Sequence, residues 1–281
     1  MEILRAKSFS DFECHVRAIR KEHEEIQRKT DRQSINLLFR GQENASWSLK
    51  TTLNRKVQER NDDGEISVSD YYQKAMDILP QIESITEKSW NPPESDVYKQ
   101  ELRNHSIHPL LYGETGYKAY SYLCYLRHHG FPSPLLDWSQ SPYIAAFFAT
   151  RKADKCAENV SVHVFLEYGS DIKITCPQKP HISGLGSNVR THRRHFLQQS
   201  EYTVSTVSKE GTWYYTNHED AISEQPESKA GEQDKLWKIE LPVSVRDEFL
   251  NNLHTMNINA YSLFQTEDTL METLARAAFS K

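Results

Sequence analysis

Apolar residues recur at helical spacing over 9–29, where Phe12, Val16 and Ile19 share one face and a dense charged face runs from Arg17 to Arg28. Ser10 or Asp11 suits the cap of this helix. The next run, Ile35-Asn36-Leu37-Leu38-Phe39, is short and closes on Arg40-Gly41. That pattern predicts a buried strand whose last residue points a guanidinium out of the strand end. Helices are expected near 68–79 and 96–104, with a break at Pro92-Pro93, and over 114–128. The last of these carries Tyr117, Tyr120, Tyr122, Leu123, Tyr125 and Leu126 and stops at His128-His129-Gly130. Tyrosines at that spacing predict core packing more than a stacking platform.

Two prolines, Pro132 and Pro134, exclude regular helix from the run that ends in Leu135-Leu136-Asp137-Trp138-Ser139. Ser141-Pro142 is a cap followed by proline at the first helical position, and Tyr143 to Thr150 is the helix it starts. Partial alternation predicts strands at 160–168, 201–208, 212–216 and 235–241. Residues 58–67 and the acidic stretch 219–234 read as polar loops. Helices near 243–256 and 268–279 bracket an expected short strand at 259–264. No internal repeat interrupts the series, so the expectation is an α+β fold with a mixed sheet core and helical insertions, organised as one domain over 1–281: an N-terminal helix in 1–33 and a core in 34–281.

Composition narrows the function. The chain has 281 residues, 11 % of them aromatic with 14 tyrosines, which is enough apolar surface for a sizeable core. Lys plus Arg 34 against Asp plus Glu 39 gives a net charge of −5, which excludes a protein that holds nucleic acid by bulk positive charge. A local patch stands out against that balance at Arg190, Arg193 and Arg194, and is a candidate nucleic-acid contact. Cys14, Cys124, Cys156 and Cys176 have no paired spacing, which fits reduced thiols in the cytoplasm. No apolar run approaches 18 residues, so neither secretion nor membrane spanning is expected. His128-His129 and His192-x-x-His195 lack a third ligand at zinc spacing, and no metal is expected.

Phe39-Arg40-Gly41-Gln42, together with the block from Leu126-Arg127-His128-His129-Gly130 through Leu135-Leu136-Asp137-Trp138 to Pro142 and its Ala-rich aromatic helix, closely resembles the FRG domain. This bacterial and phage-associated family is named for its Phe/Tyr-Arg-Gly motif. Arg193 to Thr203 and Ser262 to Leu270 resemble two further blocks of the family. The chain departs from the pattern at Arg127, where the family has Gln, at Ser133-Pro134 in place of Thr-Arg, at Ser200 in place of Gly, and at Gln265 and Thr269 in place of Pro and Gly.

An apolar strand ending in Arg-Gly is in turn similar to the first motif of ADP-ribosyltransferases. There the Arg holds NAD, and later strands supply Ser or Thr and then Gln/Glu-x-Glu; the matching order here is Arg40, Ser205-Thr206 and Gln265-Thr266-Glu267. The resemblance implies an ADP-ribosyltransferase-like fold and NAD as the substrate cofactor. It implies Arg40, Gly41, His128, His129, Ser205 and Thr206 as NAD-binding residues, with Glu267 or its neighbour Asp268 as the catalytic acid. It also implies an intracellular toxin or effector of bacterial antiphage defence, with an antitoxin or chaperone as partner and a macromolecular acceptor, protein or nucleic acid; RNA or another nucleic acid is suggested only by the basic patch at Arg190, Arg193 and Arg194.

The chemistry stands without the family. Cleaving the glycosidic bond of a nicotinamide dinucleotide builds positive charge on the ribose, so a carboxylate on the 2′ hydroxyl stabilises the transition state above the ground state. A pyrophosphate favours the bidentate guanidinium of Arg over Lys. Asp137 and Trp138 read as residues that shape the site, Asp137 by capping its turn or pairing with Arg40. The rival readings are a binding module without turnover, in which Glu267 is a helix cap, and an NAD glycohydrolase.

Overall fold

The computed structural model describes residues 1–30, 37–59, 65–104, 113–153, 156–167, 177–223 and 234–279. Eight strands among them form one mixed sheet: β1 (Glu2–Arg5), β2 (Leu37–Gln42), β3 (Leu136–Ser139), β4 (Asn159–Leu166), β5 (His181–Gly184), β6 (Ser200–Lys209), β7 (Thr212–Tyr215) and β8 (Lys235–Pro242). The order is β1-β8-β4-β2-β3-β6-β5, with β7 also paired to β6. Only the β1–β8 pair is parallel. With the helices described next, this is the α+β architecture the sequence predicts.

The period-two alternation of β4 sorts the two faces. Val160, Val162, Val164 and Leu166 face a core built with α1 (Phe9–Thr30), α7 (Pro142–Arg151) and α10 (Arg246–Thr255). Phe12, Val16 and Ile19 bring the apolar stripe of α1 into that core, as their spacing predicts. α7 is nearly all apolar because it is buried between the sheet and α10, and Ser141 caps it by accepting from the Ile144 N–H. Gly41 on β2 faces this helix; a Cβ there would meet the Ala145 carbonyl oxygen at 2.0 Å and the Ala149 nitrogen at 2.5 Å. Glycine is therefore what lets α7 lie against β2.

A second core joins β6 and β7 to α2 (Thr52–Gln58), α3 (Val68–Asp77), α5 (Ser95–Asn104) and α6 (Gly113–His128). The tyrosine surplus goes here. Tyr72 stacks on Tyr98 at 3.8 Å between centroids, and the hydroxyls of Tyr71, Tyr72, Tyr120 and Tyr122 each donate to a main-chain carbonyl. These four rings bury apolar area while their polar tips are satisfied, whereas the Tyr98 hydroxyl is buried without a hydrogen-bond partner among the described residues. A small third cluster, with Leu38, Trp138 and Phe165, covers the sheet face opposite α7.

Several boundaries differ from expectation. β1 and β5 carry too few residues for a periodic signal. The stretch 68–79 divides at Ile78 into α3 and α4 (Leu79–Thr86), with Pro80 in the first turn of α4. Within 219–234, His218–Ser223 forms α9, while 224–233 lies outside the described residues, as do 60–64 of the loop at 58–67 and Cys176. The strand expected at 259–264 is instead α11 (Ala260–Phe264). Asn259 accepts from the Ser262 N–H while Ser262 returns a hydrogen bond to the Asn259 main chain, and Gln265 ends the helix at φ 53°. This capping box overrides the apolar run it encloses. α8 (Arg194–Leu197) and α12 (Glu267–Phe279) complete the described elements used below. No described helix is long and apolar enough to cross a membrane.

Candidate functional site

β2 and β3 share the single residue pair Phe39 and Ser139 and then diverge, while β2 stays paired with β4 as far as Gln42. A cleft of about 410 Å³ opens in that wedge, within the range of small-molecule sites. Arg40, Gly41 and Gln42 of β2 form one side and Asp137, Trp138 and Ser139 of β3 the other. Arg127 and His128 enter from the end of α6, Arg194 from α8, and Trp47, Arg55, Phe148 and Phe264 from the rim.

Arg40 lies inside β2, two residues before its end, and not at the strand terminus the sequence suggests. Its Nη1 donates to the main-chain carbonyl of Asp137 at 2.7 Å, bridging the strands where the ladder stops. Its Nε is buried without a hydrogen-bond partner. Burial lowers Arg40 to about 10, so it remains a cation at neutral pH. The Asp137 carboxylate is not its partner: Oδ2 accepts from Arg127 Nη2 at 2.5 Å. Arg127 is one of the departures from the family pattern, and it supplies the ion pair expected of Arg40.

Behind Arg40 a polar row crosses the sheet. His163 on β4 is its register partner, and Lys238 on β8 is the partner of His163. Burial, and then Lys238 and Arg40, push His163 down to about 3, which keeps it neutral. Lys238 donates to the Ala45 carbonyl and pairs with Glu240 at 3.2 Å. On the β3 side, Trp138 Nε1 donates to Thr203 Oγ1 at 2.7 Å, and that hydroxyl bonds His218 Nε2 at 2.8 Å. Trp138 thereby ties the cleft wall to β6.

His128 lines the cleft and shares a 2.8 Å hydrogen bond with the Tyr202 hydroxyl, and burial takes its pKa to about 4. Gly130 has φ 84° and ends α6: the Phe131 N–H reaches the Leu126 carbonyl at 3.0 Å across it. Its role is to stop the helix so that His128 stands at the cleft edge. His129 is exposed and sits outside the cleft beside Tyr125 and His192. Ser205 and Thr206 are buried on β6, where Ser205 Oγ donates to the Asn217 carbonyl and Thr206 pairs with Tyr215; neither lines the cleft. Glu267 and Asp268 are exposed in the first turn of α12, also off the cleft wall. The strand that would have delivered them is helix α11, and it is Phe264 of α11 that reaches the cleft.

The basic patch divides. Arg194 lines the cleft with its guanidinium 5.4 Å from the Phe264 ring centroid, whereas Arg190 and Arg193 are exposed outside it. Four arginines, Arg40, Arg55, Arg127 and Arg194, thus meet in one cavity of an acidic protein, against the carboxylates of Glu43 and Asp137. The Nε atoms of Arg40, Arg127 and Arg194 are all buried without a hydrogen-bond partner. Buried polar groups without partners are uncommon, and here three occur on guanidinium side chains that line one cleft. Of these residues Arg40 stands in the family motif, Arg194 in the basic patch and Arg127 at a departure from the family pattern, whereas Arg55 and Trp47 carry no mark in the sequence. The cavity suits a phosphate-bearing ligand with planar rings. Among the described residues no three His, Cys, Asp or Glu side chains group to hold a metal ion.

Residues 35–158 match the family model for the FRG domain. The match runs from the approach to β2 to the start of β4, and so includes Arg40, Arg127, His128, Asp137 and Trp138. No curated protein and no solved structure matches the chain.

Proposed function

From the premise that residues 35–158 are an FRG domain, we propose that its cleft binds NAD and that the protein is an ADP-ribosyltransferase-like enzyme. The observation that carries the reading is the meeting of four arginines in an aromatic-rimmed cleft of a chain whose net charge is −5. In this reading the pyrophosphate lies against the guanidiniums of Arg40, Arg127 and Arg194. Phe148, Phe264 or Trp47 stacks on a ring of the dinucleotide, and neutral His128 hydrogen-bonds a ribose or amide group. Glycosidic cleavage needs a carboxylate facing the ribose, and the cleft holds Glu43 and Asp137. Asp137 ties β3 to Arg40 and Arg127 and so belongs to the frame of the site; we assign to Glu43, which follows Arg40-Gly41-Gln42 on the cleft wall, the 2′ hydroxyl and the orientation of the incoming nucleophile.

Resemblance alone carries the wider setting: an effector of bacterial antiphage defence that transfers ADP-ribose to nucleic acid or protein and is restrained by an antitoxin or chaperone. A second reading, a binding module without turnover, is favoured by the position of Glu267 and Asp268 off the cleft. Incubation of the purified protein with labelled NAD and total cellular RNA, DNA and protein separates the readings. Label on a macromolecule supports transfer and free ADP-ribose supports hydrolysis. Intact NAD that is nevertheless bound supports the binding module, and absence of NAD binding overturns the proposal.

A further inference from the structure

Beyond His128 lies a second concavity, an open groove of about 560 Å³. Its walls alternate rings and cations. Trp90 and Tyr125 have centroids 4.3 Å apart, and Tyr125 is 4.3 Å from His129, the residue just past the end of α6. His129 is 6.2 Å from His192, and His192 is 6.2 Å from His128, which lines the cleft. Phe196 completes the groove with 65 % of its surface exposed. Lys88 sits 5.8 Å from the Tyr125 centroid, Arg190 is exposed on the wall, and among the described residues none that lines the groove is acidic.

We propose that this groove binds single-stranded nucleic acid and leads it to the cleft. Cations without a facing carboxylate select a polyanion, even though the protein as a whole is acidic. A row of rings selects a polyanion whose own rings have open faces, which is a single strand and not a duplex. An acidic protein surface would satisfy Lys88 and Arg190 but would leave the ring row and the exposed Phe196 without purpose. Partial desolvation, with the neighbouring cations Lys88 and Arg194, lowers His129 and His192 below the ordinary histidine value, and the fixed charge of the groove comes from Lys88 and Arg190. The Thr191 hydroxyl, buried in the same wall without a partner, adds a hydrogen-bonding group. Continuity through His192 and His128 makes the bound strand the acceptor for chemistry in the cleft; that last step rests on the ADP-ribosyl-transfer reading, whereas binding itself does not.

The test is fluorescence anisotropy with labelled single-stranded RNA and DNA of mixed sequence, the matching duplex, and poly-glutamate as a competing acidic polypeptide. Single strands are expected to bind at least about tenfold more tightly than duplex. Lys88→Glu combined with Arg190→Glu should lower that affinity about tenfold or more and flatten its salt dependence. Phe196→Ala, at a ring that is mostly in solvent, should weaken it about tenfold. These variants should melt like the parent and keep NAD binding, since none of the three residues lines the cleft. Equal affinity for duplex and single strand, displacement by poly-glutamate as effective as by unlabelled strand, or indifference to Phe196→Ala would overturn the proposal. A protein that binds NAD but no single strand overturns the groove alone, and one that binds single strands but no NAD overturns the cleft reading alone.

Discussion

Arg127 and Arg40 hold Asp137 by different atoms: Arg127 pairs with the carboxylate at 2.5 Å, and Arg40 donates to the main-chain carbonyl at 2.7 Å. The two substitutions should therefore separate. Arg127→Gln removes the ion pair at a partly exposed site, and its cost to folding should be about 1 kcal/mol. Arg40→Lys keeps a cation but loses the fork that spans the diverging strands while also facing a ligand. Its NAD affinity should fall about tenfold or more, at a smaller change in melting temperature than that affinity loss suggests. Parallel thermal melts and NAD titrations of the two variants check this. An Arg40→Lys protein that binds NAD normally would remove Arg40 from the cleft's binding surface.

Gly41 and Gly130 should respond unequally to alanine. At Gly41 the new methyl would meet helix backbone of α7 at 2.0 and 2.5 Å, and backbone cannot turn aside. Gly41→Ala should destabilise by about 3 kcal/mol through displacement of α7 from β2. At Gly130 nothing lies within 4 Å and only the left-handed φ of 84° is costly, so Gly130→Ala should lose about 1 kcal/mol. Equilibrium denaturation of both variants measures the contrast.

Much of this arrangement is legible in the sequence, because strong local signals coincide with the fold. The Ser141-Pro142 cap, the alternation over β4 and the stripe of α1 each appear as expected. Tyr120 and Tyr122 of α6 likewise join a core, and Tyr125 packs against it. The site was only partly legible, since a cleft gathers residues that are distant along the chain. Arg55 on α2 and Phe264 on α11 carry no local mark of the cavity they share. The apolar run at 259–264 was misread because hydrophobicity over so short a stretch does not distinguish strand from helix, and the Asn259–Ser262 capping box decided it.

Two buried histidines, His163 and His218, and the half-buried His128 should make the protein acid-sensitive. Burial lowers His163 and His218 to about 3 and His128 to about 4, from an ordinary value near 6.5. Below about pH 6.5 the unfolded chain takes up protons that the folded protein does not. Stability is therefore fully present above that pH and is lost as pH falls toward 4, by up to about 1.4 kcal/mol per pH unit for each group. Denaturation series at pH 7.5, 6 and 5 should show this decline, and His163→Gln should make it shallower. A slope unchanged by His163→Gln would mean that His163 is protonated in the folded state.

The position of the reacting carboxylate gives the sharpest test of transfer chemistry. Glu267 is an exposed first-turn residue of α12, where an acid favours the positive end of a helix, and Glu43 lines the cleft beyond the end of β2. Substituting Gln preserves size and hydrogen bonding while removing the charge that stabilises a developing ribosyl cation. Glu43→Gln should lower the rate of ADP-ribose transfer by about a hundredfold or more with little change in NAD affinity, because the lost interaction is made in the transition state. Glu267→Gln should leave the rate within about twofold and lower only stability, by a few tenths of a kcal/mol. Single-turnover measurements with labelled NAD distinguish the two. The reverse outcome, loss of transfer in Glu267→Gln and retention in Glu43→Gln, would require the first turn of α12 to swing toward Phe264 and the cleft when ligand binds, and would return the catalytic role to the acid that follows Gln265-Thr266.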